Sequence, residues 1–183
     1  MMNIRTLGVM VVAALGTVMA SAEQQCNTNI PQSAPDQRFR VVAGSNGSEL
    51  QDLFTDLVWQ RCSIGQQWNN TSKTCTGVAT LHTWPEALAQ AKAVGGDYRL
   101  PNIKELHTLR EPRCAAPSLN IAIFPNLPTT ETGFRVWSSS PYAGDTLSAW
   151  MVDFEQGTTI FANKSSAIAS VRAVRAGAAV ATP

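Results

Sequence analysis

The sequence predicts an α+β domain in which two short helices pack on small antiparallel sheets and two disulfides staple the chain. Three observations predict it. Two capping boxes, Thr83 with Glu86 and Asn102 with Glu105, each open a short helix. The last third alternates apolar and polar residues with turn glycines between the runs, as antiparallel strands do. Four cysteines, an even number, follow an export leader, which places them in an oxidising space.

The first helix is set by Thr83, whose hydroxyl accepts from the amide three residues on while Glu86 reaches back to the threonine amide. Ala87, Leu88, Ala89, Ala91 and Ala93 are good helix formers, and Gly95-Gly96 supplies the left-handed exit. Asn102 and Glu105 repeat the arrangement, with Ile103, Leu106 and Leu109 as the buried side, so the second helix is expected to run to Leu109. Ahead of both, Phe39 to Val42 and Leu57 to Gln60 read as strands. Behind them, Val136-Trp137 begins a strand. Trp150 to Glu155 alternates, with Trp150, Val152 and Phe154 inward and Asp153 and Glu155 outward. Gly157 turns that run into Thr158 to Ala162, and Ser170 to Arg175 is the last strand.

Arg5, the apolar run from Leu7 to Met19 and Ala20-Ser21-Ala22 read as a secretory signal over residues 1–22, shorter than the roughly 20 apolar residues a membrane span requires. Residues 23–38 are expected to form an extended arm, 39–175 the domain and 176–183 a flexible tail, so the mature protein is secreted, periplasmic or displayed on the cell surface, with no membrane span. Of three possible connectivities, Cys62 with Cys75 is favoured because Gly65, Asn69, Asn70 and Thr71 make a polar excursion that a bridge staples at its base. That leaves Cys26 with Cys114, tying the arm to the middle of the domain. Loop entropy values the long closure at roughly 4 kcal/mol and the short one at about 3.

Removing the leader takes Arg5 from fourteen basic residues and leaves thirteen against thirteen acids, a formally neutral chain. That balance argues against a general electrostatic hold on nucleic acid. No metal or other cofactor is expected: there is no Cys-x-x-Cys, and only two histidines accompany the cysteines. Neither His82 nor His107 lies in a zincin helix, no nucleophile elbow surrounds a serine, and Asp153 with Glu155 reads as a solvated strand face, so no catalysis is expected.

Leu57-Val58-Trp59-Gln60-Arg61-Cys62, Trp84 with Glu86-Ala87, Arg99 to Leu106, Phe124-Pro125-Asn126, Trp137 to Ser140 and Val171 to Arg175 together resemble the Lcl C-terminal domain family, named for the C-terminal domain of a bacterial collagen-like adhesin. The resemblance covers Cys26 to Arg175 and implies a C-type-lectin-like fold and a secreted, non-catalytic binding module. The namesake adhesin binds sulfated glycosaminoglycans as a trimer, but the present chain carries no collagen-like repeat. Where sugar-binding C-type lectins hold calcium on a Glu-Pro-Asn loop, this chain has Glu111-Pro112-Arg113, and a guanidinium coordinates no cation.

Trp59, Trp84, Trp137 and Trp150 sit beside apolar neighbours and are expected in the core. Trp68, among Gln66, Gln67, Asn69 and Asn70, either faces a sugar or plugs its own loop. Lys104, Arg110 and Arg113 are the expected contacts for anionic glycans, joined by Arg135, Arg172 and Arg175 if the fold aligns the strands, because guanidinium forks pair with planar oxyanions. Arg99, next to the helix start, is expected to be buried against a carboxylate, and Glu105 to be employed as a capping residue. The expected partner is a glycosaminoglycan-like polyanion, and the alternative is a protein partner or self-assembly within an extracellular structure.

Overall fold

The computed structural model describes residues 24–128 and 133–177. The leader expected over 1–22 lies outside them. In chain order the described elements are β1 (Gln25–Cys26), a 3-10 turn (Asp36–Arg38), β2 (Phe39–Val41), β3 (Glu49–Asp52), β4 (Leu57–Gln60), β5 (Gln67–Asn69), β6 (Thr74–Thr76), α1 (Trp84–Ala93), α2 (Ile103–His107), β7 (Cys114–Ala115), β8 (Arg135–Pro141), β9 (Ser148–Asp153), β10 (Thr158–Asn163) and β11 (Val174–Ala176). The architecture is α+β. One sheet has the order β11-β4-β3-β2 and another β10-β9-β8, and β1-β7 and β5-β6 form two-stranded ribbons. Every pairing between these strands is antiparallel.

Both capping boxes form. Thr83 and Glu86 open α1, and Asn102 accepts from the Glu105 amide at 2.9 Å to open α2. α1 packs on β8, and α2 packs on β8 and β9. The second helix stops at His107, two residues short of the expected Leu109, although Leu109 is buried all the same.

The core consists of two clusters with β9 between them. Leu50, Trp59, Leu106, Phe124, Val152 and Phe154 belong to the first. Ala87, Ala91, Leu100, Trp137, Ala149, Met151 and Val171 belong to the second. Because β9 is the middle strand and both its faces are covered, Val152 and Met151 point opposite ways and are both buried. This overturns the expected inside-outside alternation. Asp153, expected outward, is buried and accepts from Arg135 Nε at 3.2 Å. Trp150, expected in the core, is half-buried at the rim, edge-on to Tyr142 and Phe161 with centroids 5.0 and 5.8 Å away. Trp59 and Trp137 are fully buried as expected, whereas Trp84 is half-buried with its indole N–H on the Ser138 carbonyl at 2.8 Å.

The arm is docked on the domain. Cys26 pairs with Cys114 in the β1-β7 ladder, and the amides of Ser33 and Ala34 donate to the Glu111 carboxylate, the shortest bond being 2.9 Å. Asn120 Nδ2 donates to the Ala34 carbonyl and to Asp36, so Ala34 is sealed from solvent. At the other end, Ala176 pairs with Leu57 in β11, and the Gly177 amide donates to the Asp56 carbonyl at 2.7 Å, so the fold continues into the first residues of the expected tail. Both disulfides join the expected cysteines, Cys62 to Cys75 and Cys26 to Cys114.

Candidate functional site

Of the basic side chains singled out above, Lys104 lies on the second helix, with Arg99 before it and Arg110 and Arg113 after it. Arg99 grips Glu105 through two bonds of 2.7 and 2.8 Å, and the same carboxylate accepts from the Asn102 amide. Burial would raise the Glu105 pKa, but the Arg99 hydrogen bonds and the Asn102 amide outweigh it and hold the carboxyl below its ordinary range. Arg99 and Glu105 are thereby committed to each other. Lys104, one position earlier, is exposed.

Arg110 follows the helix, with Nη1 standing 2.6 Å from His107 Nε2. A guanidinium can only donate, so the imidazole accepts and is neutral in this contact. Burial first and then the Arg110 charge lower the His107 pKa, in keeping with that assignment. Arg113 is half-buried, and its carbonyl accepts from Asn27 of the arm at 2.7 Å. Spacings of three residues run Lys104, His107 and Arg110 along one flank of α2 and its extension. Among the described residues no carboxylate is within ion-pair reach of Lys104, Arg110 or Arg113.

The other three arginines do not join this flank. Arg135 is half-buried and spent on Asp153, and Arg175 reaches Glu49 at 2.8 Å. Arg172 corrects the expectation outright: it is 2% exposed. Its Nη1 donates to the carbonyls of Gln60 and Arg61, and its guanidinium lies 4.9 Å from the Phe124 centroid. Desolvation pushes its pKa down to about 10. A side chain so enclosed cannot reach a ligand.

Trp68 is half-buried on β5 and forms one wall of a cleft of about 440 Å³. Ser45, Asn46, Gln60, Gln66 and Gln67 are among its polar lining residues, and Cys62, Ile64 and Val94 also line it. The indole is pinned on its edge by Gly47, at φ 88°, where an added Cβ would stand 2.6 Å from Nε1. Against its face lies Arg61, the guanidinium carbon 4.1 Å from the ring centroid. Sequence reasoning passed over Arg61. The available signal was an arginine between a strand and a bridged cysteine with no acidic residue near it in sequence. Among the described residues no group of three or more His, Cys, Asp or Glu side chains is placed to hold a metal ion, and His82 bonds Thr80 at 2.7 Å.

The crosslinks fit an oxidising, extracellular setting, and among the described residues no helix is long and apolar enough to cross a membrane. A search of curated proteins finds none that matches the chain. The model of the Lcl C-terminal domain matches residues 48–175, from the turn before β3 into β11. That span is more than half the sequence and contains both helices, Trp68 and the basic flank. The chain belongs to the Lcl C-terminal domain family, a family of non-catalytic domains.

Proposed function

We propose that this protein is an exported, adhesin-like binding module of C-type-lectin-like topology, and that it holds anionic glycans on the basic flank of α2. The carrying observation is that Lys104, Arg110 and Arg113 lie close together in the chain without carboxylate partners among the described residues, whereas Arg99, Arg135 and Arg175 are each paired. Unneutralised cations at a surface attract polyanions, and the attraction is screened by salt. Heparin chromatography of the leaderless protein tests the reading. Retention should fall with rising salt, and the Arg110→Ala/Arg113→Ala protein should bind about tenfold or more weakly, as expected when charged hydrogen bonds are lost. Retention unchanged in that variant would refute the assignment.

A second reading is a protein-binding or structural subunit. Phe54 is 82% exposed and Leu53 46% at the β3-β4 turn, an apolar tip of the kind a protein partner covers. Oligomers on gel filtration that dissociate in Phe54→Ser, from a protein that ignores heparin, would favour it.

A further inference from the structure

We propose that the free edge of β10 pairs with the β10 of a second copy of this chain, joining two β8-β9-β10 sheets into one continuous sheet across a two-fold axis. A strand edge is a row of main-chain donors and acceptors, and an edge left open is a template for another strand. This fold closes or blunts the other edges of its two larger sheets. Beyond β8, the amide of Trp137 donates to the Ser170 carbonyl, that of Ser170 to the Arg135 carbonyl and that of Ser139 to the Pro101 carbonyl, at 2.7 to 3.1 Å. Beyond β11, Val174 and Arg99 exchange two main-chain bonds of 2.9 Å. β2, at the far edge of the four-stranded sheet, is only three residues long and carries Arg40.

β10 has none of these protections. Its six residues include no charge, proline or glycine, and it pairs with β9 in unbroken register, so no bulge twists the edge away. Which groups face outward follows from the ladder. The Lys164 amide donates to the Leu147 carbonyl, so by alternation Ala162, Ile160 and Thr158 turn their N–H and C=O groups toward β9. Thr159, Phe161 and Asn163 therefore point theirs away from the sheet. Among the described residues the main-chain groups of Thr159 and Phe161 meet no partner on that side, and the Asn163 carbonyl accepts from Ala167 at 3.1 Å.

A second copy is the occupant this edge fits. An antiparallel edge is complementary to itself under a two-fold axis. With the axis beside Phe161, the two Phe161 residues exchange both main-chain bonds, and Thr159 lies opposite the partner's Asn163. Because the strand is uncharged, no like charges meet across the axis. Phe161 is 49% exposed, its ring stacked on Tyr142 with centroids 4.0 Å apart and edge-on to Trp150. Pairing sets the two Phe161 rings side by side and takes apolar surface out of water, so the aromatic groups of both copies become one cluster.

The pairing is independent of heparin binding and uses a different surface from the Phe54 tip. Its test is sedimentation equilibrium of the leaderless, oxidised protein over a wide range of concentration, with amide hydrogen exchange read by NMR at each end of that range. Dimer should accumulate as concentration rises, and the Thr159 and Phe161 amides should pass from fast to slow exchange with it. The Ile160 and Ala162 amides, bonded to β9, should be slow throughout. Phe161→Lys sets two ammonium groups opposite each other and removes the apolar contact, so it should weaken the dimer at least about tenfold. If that variant does not fold, Thr159→Pro, which removes only an outward N–H, takes its place, and about a tenfold loss is expected from the two hydrogen bonds a symmetric pair forfeits. The proposal is overturned by a monomer at every concentration, including one whose edge takes up a foreign extended peptide instead. It is equally overturned by a dimer that leaves the Thr159 and Phe161 amides in fast exchange, or by one undiminished in the variant that folds.

Discussion

At the scale of single residues, the chain spends several charges on its own interior. Arg172 sits between Val171 and Ala173, both fully buried, and serves as a donor to two carbonyls of the segment that ends β4. Replacing it with Met fills similar space but orphans those acceptors. The loss should be about 3 kcal/mol, read as an earlier midpoint in urea, with little change in the salt dependence of heparin retention. Asp52 makes a pH-dependent contribution. Burial alone would raise its pKa, but bonds from Arg38, Thr55 and the Phe54 amide outweigh that and hold the carboxyl below its ordinary value of 3.8. The folded pKa is the lower one, so the stabilisation is complete well above 3.8 and drains away as pH falls through that value towards the folded pKa. Urea unfolding should therefore weaken between about pH 5 and about pH 3, and Asp52→Asn should flatten that slope. Parallel slopes in the two proteins would show that another group is responsible. In sequence, Arg172 resembled a surface cation because its type is usually exposed. Its flanking small and β-branched residues were the overlooked sign.

At the scale of elements, what was legible depended on whether local chemistry or tertiary cover decided the outcome. Both helices were readable because a capping box is a contact within four residues. α2, with five residues, is too short to persist alone and depends on that cap and on Leu106 in the core. Asn102→Ala should cost about 1 kcal/mol in thermal or urea unfolding and free the Glu105 amide to faster hydrogen exchange. An unchanged exchange rate would mean that packing alone holds the turn. The alternation of β9 misled because a strand with sheet neighbours on both sides and cover on both faces need not alternate. β3 and the β5-β6 ribbon were not visible at all. Glu49–Asp52 buries an acid at one of its two inward positions, and Gln67–Asn69 is polar apart from the indole. There the salt bridge to Arg38 and the bridge to Cys75 replace an apolar stripe as the cause of the strand. The basic flank was legible as composition, whereas the Arg61–Trp68 contact was not, since only folding sets an arginine against a tryptophan seven positions away.

At the scale of the whole molecule, the question is what the long disulfide does for a domain whose arm is already docked. Cys26 and Cys114 are 88 positions apart, so the crosslink restricts the unfolded chain strongly, by about 4 to 5 kcal/mol in the loop-entropy account. In the folded state the same arm has independent attachments: two amides on Glu111, two bonds from Asn120 and the burial of Ala34. These two roles separate experimentally. Cys26→Ser/Cys114→Ser should lower global stability by several kcal/mol, while the Ser33 and Ala34 amides still exchange far more slowly than in a free chain, because the acceptors that protect them remain. Glu111→Gln should do the reverse, keeping the crosslink but weakening the charged acceptor, at a cost of about 2 kcal/mol, with the loss concentrated in those two amides. If Ser33 and Ala34 exchange at free-chain rates in the serine variant, the arm is held by the covalent bond alone, and its docking against Glu111 and Asn120 is a consequence of the crosslink.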